Sequence, residues 1–292
     1  MGRCSLALKL VLEMTNVWIE KSVKLAESKD YLLKVSRIYP ATIPPRRPLD
    51  QRTRKTIETL HENRDGKRLL SFLLDLRRKS HPFPIEHPYV PLLGKREEIF
   101  NKNPGMVKIV ANILLNMNVD DIIKGCERPP DINRIMGQAF RKWVRSYFPG
   151  HGYPVLSAPK FDAHSASAIL DAANKAIMDY VRRKLGIDLG KGRDILAKIV
   201  DAGGNISYVV GEARFLSTSG GSQTRDLREV LSFVRETNEN LIRIGILDGV
   251  MWFEKRYLEM IRELKEGEYV LSALLLKDFL DWLRQRSTGS II

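Results

Sequence analysis

The run Asp194-Ile195-Leu196-Ala197-Lys198-Ile199-Val200, the turn Asp201-Ala202-Gly203-Gly204-Asn205 and the return Ile206-Ser207-Tyr208-Val209-Val210-Gly211-Glu212-Ala213-Arg214-Phe215-Leu216 decide the fold of this chain. Two runs rich in β-branched residues flank a turn built from Asp, Gly and Asn, the types that supply positive φ, so the stretch reads as a β-hairpin. In the simplest register Val200 faces Ile206, Lys198 faces Tyr208, Leu196 faces Val210 and Asp194 faces Glu212. Directly opposed residues hold their Cβ atoms about 4.5–5.5 Å apart. Strand alternation then puts Arg214 on the face of Glu212.

Two carboxylates this close repel, so one must hold a proton or a cation must sit between them. Two readings fit the spacing. In one, Asp194 caps a strand and Glu212 pairs with Arg214 or Arg193 at a sheet end. In the other, the pair holds a hard divalent ion. Mg²⁺ binds through one or two carboxylates plus substrate phosphates, and it polarises a phosphate and activates water, the chemistry of phosphodiester cleavage.

The 292 residues carry a net charge of +13, and that charge is uneven. Residues 1–150 hold 28 Lys and Arg against 16 Asp and Glu, whereas residues 151–292 hold 20 against 19. A strongly basic first half joined to a neutral second half points to a polyanionic partner, because neutralising phosphates releases counterions. Cys4 and Cys126 make no disulfide framework, and the five histidines lack zinc-ligand spacing. The apolar run from Ser5 to Leu12 is too short to span a membrane, ends at Glu13 and lacks a secretory cleavage site. The protein is expected to be cytoplasmic, with no membrane partner.

Residues 1–150 read as mostly helical, at 6–24, 51–61, 67–79, 95–102, 105–116 and 131–147, with a break at Ile43-Pro44-Pro45-Arg46-Arg47-Pro48. The proline-rich stretch 81–88 excludes helix. Phe148-Pro149-Gly150-His151-Gly152 marks a boundary between residues 1–150, expected to be a DNA-binding region, and residues 151–292, expected to be the core. The second half alternates: helix 165–185, the hairpin, helix 224–235, strand 241–247, helix 251–264, strand 268–271 and helix 273–285. That order predicts an α/β (α+β) fold, a mixed β-sheet flanked by helices with a helical N-terminal region. Gly220-Gly221-Ser222-Gln223 leads into the helix after the hairpin, with Ser222 as an N-cap. This loop either approaches an anion or only makes a tight turn, and Gln223 either orients a water or phosphate or caps the helix.

Together these residues resemble the PD-(D/E)xK nuclease superfamily, and within it the type II restriction endonucleases. The match is Asp194 in Lys191-Gly192-Arg193-Asp194-Ile195 and Glu212-Ala213-Arg214 in Val210-Gly211-Glu212-Ala213-Arg214-Phe215, within a resemblance covering residues 162–283. It implies a restriction-endonuclease-like core in which Asp194, Glu212 and a backbone carbonyl at Ala213 bind Mg²⁺. It makes Arg214 and Gln223 catalytic with the two acids, and Asp162 or Asp171 an optional third carboxylate. Arg214 departs from the usual Lys. Arginine stays charged and does not serve as a base, so it is assigned to charge stabilisation. Lys191 is a reserve candidate, and Lys198 lies about 13 Å along the strand from Asp194, too far to substitute. The implied activity is sequence-specific, Mg²⁺-dependent hydrolysis of double-stranded DNA by a homodimer reading a palindromic site. The rivals are a non-catalytic DNA-binding protein on a degenerate nuclease fold, which the Arg for Lys exchange permits, and a repair or junction-resolving nuclease.

Overall fold

The computed structural model describes residues 16–40, 46–79, 81–129, 132–238 and 241–285. Residues 6–15 of the expected first helix, Cys4, and residues 43–45 of the expected break lie outside that set. Helices α1 (Val17–Ala26) and α2 (Tyr31–Val35) open the chain. They are followed by α3 (Gln51–Glu62), α4 (Gly66–Arg78), α5 (Val90–Leu93), α6 (Glu97–Lys102), α7 (Pro104–Leu115) and α8 (Val119–Cys126). Helix α9 (Ile132–Tyr147) leads to strand β1 (Val155–Leu156), helix α10 (Ala158–Ala163), strand β2 (Ala168–Leu170) and helix α11 (Asn174–Leu185). Strands β3 (Ile195–Val200) and β4 (Ile206–Leu216) form the hairpin. Then come α12 (Gly221–Val234), β5 (Leu241–Gly249), α13 (Lys255–Arg262), β6 (Tyr269–Leu271) and α14 (Leu276–Gln285).

The chain divides into two compact units, one of residues 42–132 and one of the segments on either side of it. The packing division therefore does not fall at residue 150: α1, α2 and α9 belong with the sheet. The smaller unit is helical, with its own core of Ile57, Leu69, Leu70, Leu73, Val110, Leu114 and Ile122. Side-chain caps start its helices where the sequence supplies them. The Asp50 carboxylate accepts from Thr53 N–H at 2.8 Å, and Asn118 accepts from Asp120 N–H at 2.8 Å. Residues 81–86 are non-helical, as their prolines dictate, and Phe83 among them is buried. Cys126 is a buried free thiol.

The larger unit carries one six-stranded sheet in the order β1-β2-β3-β4-β5-β6. Strands β1 and β2 are parallel, β2–β3 and β3–β4 antiparallel, and β4–β5 and β5–β6 parallel. The hairpin register is the expected one, with Val200 opposite Ile206, Lys198 opposite Tyr208 and Leu196 opposite Val210. Asp201 shapes the turn, accepting from the N–H groups of Gly203 and Asn205, while Gly204 takes a φ of 82° that favours glycine.

The segment expected as one helix over 165–185 is two elements. Ala168-Ile169-Leu170 is buried on both faces and pairs with β1 and β3 before α11 begins at Asn174. A short apolar run carries no period that separates strand from helix, and here partner strands decide it.

Buried side chains join the first helices to this sheet. Trp18 of α1 makes an edge contact with Phe279 at 5.2 Å. Asp248, fully buried on β5, accepts from Tyr31 Oη at 3.0 Å, from Ser272 Oγ and from Ala273 N–H at 3.0 Å. Burial pushes the Asp248 carboxyl up to about 6, against the pull of those donors.

Candidate active site

The mouth of the hairpin gathers the acids. Beyond Ile195–Gly211 the ladder shifts: Asp194 N–H donates to Gly211 C=O at 2.9 Å instead of continuing to Glu212. The Asp194 carboxylate is thereby laid along β4, where Oδ2 accepts from Ala213 N–H at 3.0 Å. Its Oδ1 accepts from Asn174 Nδ2 at 2.8 Å and from Arg141 Nη1 at 3.2 Å. Arg141 also donates to Asn174 Oδ1 at 2.7 Å, closing a triangle around the acid.

Asn174 reaches that position because Gly192 has no side chain. A Cβ on Gly192 would lie 2.6 Å from the Asn174 carbonyl carbon. The first turn of α11 therefore packs directly on the entry to β3.

Glu212 is 1% exposed and meets three cations. Arg193 donates to Oε2, while Arg214 and Lys191 share Oε1, the latter at 2.8 Å. The sequence-level alternative of ion pairs from Glu212 to Arg193 and Arg214 is thus present in the structure. Charges this deeply buried persist only when paired. Arg193 is held on its other side by Leu189 C=O at 2.8 Å and lies over the Phe233 ring at 3.7 Å. Burial lowers its pKa from the ordinary arginine value, with Glu212 pulling the other way. Lys191 continues outward to Glu229 Oε2 at 2.8 Å.

Arg214 touches both acids. Its Nη2 meets Glu212 Oε1, and its Nη1 lies 3.7 Å from Asp194 Oδ2 and 3.0 Å from Ala213 O.

The other expected residues have partners of their own. Gln223 is buried; its Oε1 accepts from Thr218 N–H at 3.3 Å and its Nε2 donates to Ser217 Oγ at 3.4 Å, so it holds the loop before α12. Ser222 is not the N-cap. Gly220 takes the extended cap conformation, and its carbonyl accepts the first helical bond from Thr224 N–H at 3.0 Å. Lys198 is buried, its ammonium donating to the carbonyls of Phe161 and His164. Asp162 accepts from Tyr180 Oη. Asp171 pairs with Arg145 at 2.7 Å and shares a small crevice with Asp194 and Arg141. Arg141, Asn174 and Glu229 were not marked by any motif; they arrive from three different helices.

A six-stranded mixed sheet flanked by helices is consistent with a restriction-endonuclease-like α+β fold. The chain belongs to the Tsp45I type II restriction enzyme family, whose model matches residues 16–283. It is accordingly a site-specific deoxyribonuclease with double-stranded DNA as its partner, which decides against both the non-catalytic protein and the repair nuclease. No curated protein and no solved structure matches the chain. No helix among the described residues is long and apolar enough to cross a membrane.

Proposed function

We propose that this restriction enzyme hydrolyses DNA at Asp194 and Glu212 in a PD-(D/E)xK arrangement, with Mg²⁺ held by the two carboxylates and the carbonyl of Ala213. The observation that carries the reading is the convergence of three oxygen donors, Asp194 Oδ2, Glu212 Oε1 and Ala213 O, on one guanidinium. Three oxygens ranged around one cationic group suit a hard cation. Among the described residues no group of three or more His, Cys, Asp or Glu side chains is placed to hold a metal. A two-carboxylate site still fits Mg²⁺, whose remaining positions go to water and substrate phosphate.

When bound, Mg²⁺ supplies positive charge to the scissile phosphate and activates water. The protein's own groups do the rest. Asn174 and Ala213 N–H orient the Asp194 carboxylate, and Arg193 fixes Glu212 from the buried side. Arg214 stabilises the charge that develops on the phosphate. Gln223 acts through the loop it holds. Lys and Arg residues among 1–150 contact the DNA backbone, and a cytoplasmic homodimer places one site on each strand of a palindrome.

Purified protein incubated with a long DNA and Mg²⁺ is expected to give discrete fragments, and chelation of the metal to leave the DNA intact. A smear, or cutting that persists in excess chelator, contradicts the proposal.

A further inference from the structure

Four cations surround the two acids, but they are not equivalent. Arg141 reaches Asp194 and not Glu212, while Lys191 and Arg193 reach Glu212 and not Asp194. Arg214 alone among the described side chains contacts Glu212, Asp194 and the Ala213 carbonyl together. Its guanidinium therefore occupies the place where the three donors converge.

We propose that Arg214 is the resident cation of the metal site and competes directly with the divalent ion for its donors. The inference rests on the assignment of Asp194, Glu212 and Ala213 as those donors. A guanidinium and a divalent ion cannot share one cluster of buried oxygens, because like charges a few ångströms apart in a poorly screened site repel strongly. Metal loading therefore requires the Arg214 side chain to leave.

The structure gives it an exit. The Arg214 side chain is 34% exposed, against 6% for Arg193, which the Leu189 carbonyl and the Phe233 ring lock in place. Arg193, which holds the other carboxylate oxygen, Oε2, keeps Glu212 fixed once Arg214 has moved. A displaced guanidinium finds a matched partner in a DNA phosphate, which it binds through two parallel N–H donors. Metal entry and the arming of Arg214 on the substrate are then one exchange: the ion takes the carboxylates and the guanidinium takes the phosphate.

The test is calorimetric titration of the DNA-free protein with Mn²⁺, which reads metal binding without turnover. Arg214→Ala is expected to bind Mn²⁺ at least about tenfold more tightly than the wild type. Arg141→Ala removes the same charge from one acid only and is expected to gain clearly less. If Arg214→Ala does not fold, Arg214→Gln carries the same expectation, with circular dichroism as the check. Unchanged or weakened affinity in the Arg214 variant overturns the proposal. An equal gain in Arg141→Ala also overturns it, because net charge would then explain the effect. Asp194→Ala and Glu212→Ala separate the two levels: both are expected to lose Mn²⁺ binding. Retained binding in either removes the donor assignment itself, whatever the arginine variants do.

Discussion

At Glu212, Arg193 and Lys191 secure the carboxylate whether or not Arg214 is present, so Arg214 is free to serve the reaction. Its fixed charge does not require a proton-transfer role. Arg214→Lys is therefore expected to keep substantial activity. Arg214→Ala should lose roughly 10²–10³ in rate, the usual cost of one electrostatic stabiliser. Single-turnover cleavage rates at saturating Mg²⁺ check this, and normal cutting by Arg214→Ala would reduce the residue to a strand-edge partner of Glu212. Asp194, Glu212 and Arg214 were legible because one hairpin brings them together from nearby positions. Arg141 and Asn174 lie 53 and 20 residues before Asp194 and carry no motif. Only tertiary packing, with Gly192 allowing the close approach of Asn174, makes them neighbours of the acid.

At the scale of elements, the hairpin register followed from alternation and the Asp-Gly-Asn turn, but the shift at Asp194 did not. It depends on where the β4 backbone offers an N–H to the carboxylate. Strand β2 escaped for a related reason, since its three residues are specified by β1 and β3 on either side. The Asp248 anchor between β5, α2 and the Ser272 turn was equally invisible, its partners lying 217 and 24 residues away.

That anchor has a pH signature. The folded carboxyl titrates near 6, up from 3.8. Between those values the folded state holds a proton that the unfolded state releases, so stability falls as pH rises and the cost is complete above pH 6. The penalty is about 3 kcal/mol. Asp248→Asn should remove that slope. Urea unfolding between pH 4 and 7 checks it: the wild type should lose ground to the variant across that window, and parallel curves would refute the burial argument.

At the scale of the whole molecule, the charge asymmetry between residues 1–150 and 151–292 was readable by counting, whereas the packing division was not. The amino-terminal helices contribute Trp18 and Tyr31 to the core of the sheet unit, and apolar pattern alone does not say which core a helix joins. Within the helical unit, Lys67 and Arg68 line a cavity of about 470 Å³ and are exposed. If this surface meets the DNA backbone, affinity measured in Ca²⁺ should fall steeply with salt. Each of Lys67→Ala and Arg68→Ala should then make the log–log slope shallower by about 1. Salt-independent binding would contradict a phosphate-gripping role for the basic residues.

The claim on which the rest depends is that Asp194 and Glu212 are the cutting site. It is tested most directly by comparing wild type, Asp194→Ala and Glu212→Ala on one DNA substrate, scoring cleavage in Mg²⁺ and gel retardation in Ca²⁺. Both variants should still retard the DNA and yield no fragments. A variant that cuts at a rate near wild type would remove its residue from the site and move the chemistry away from the hairpin.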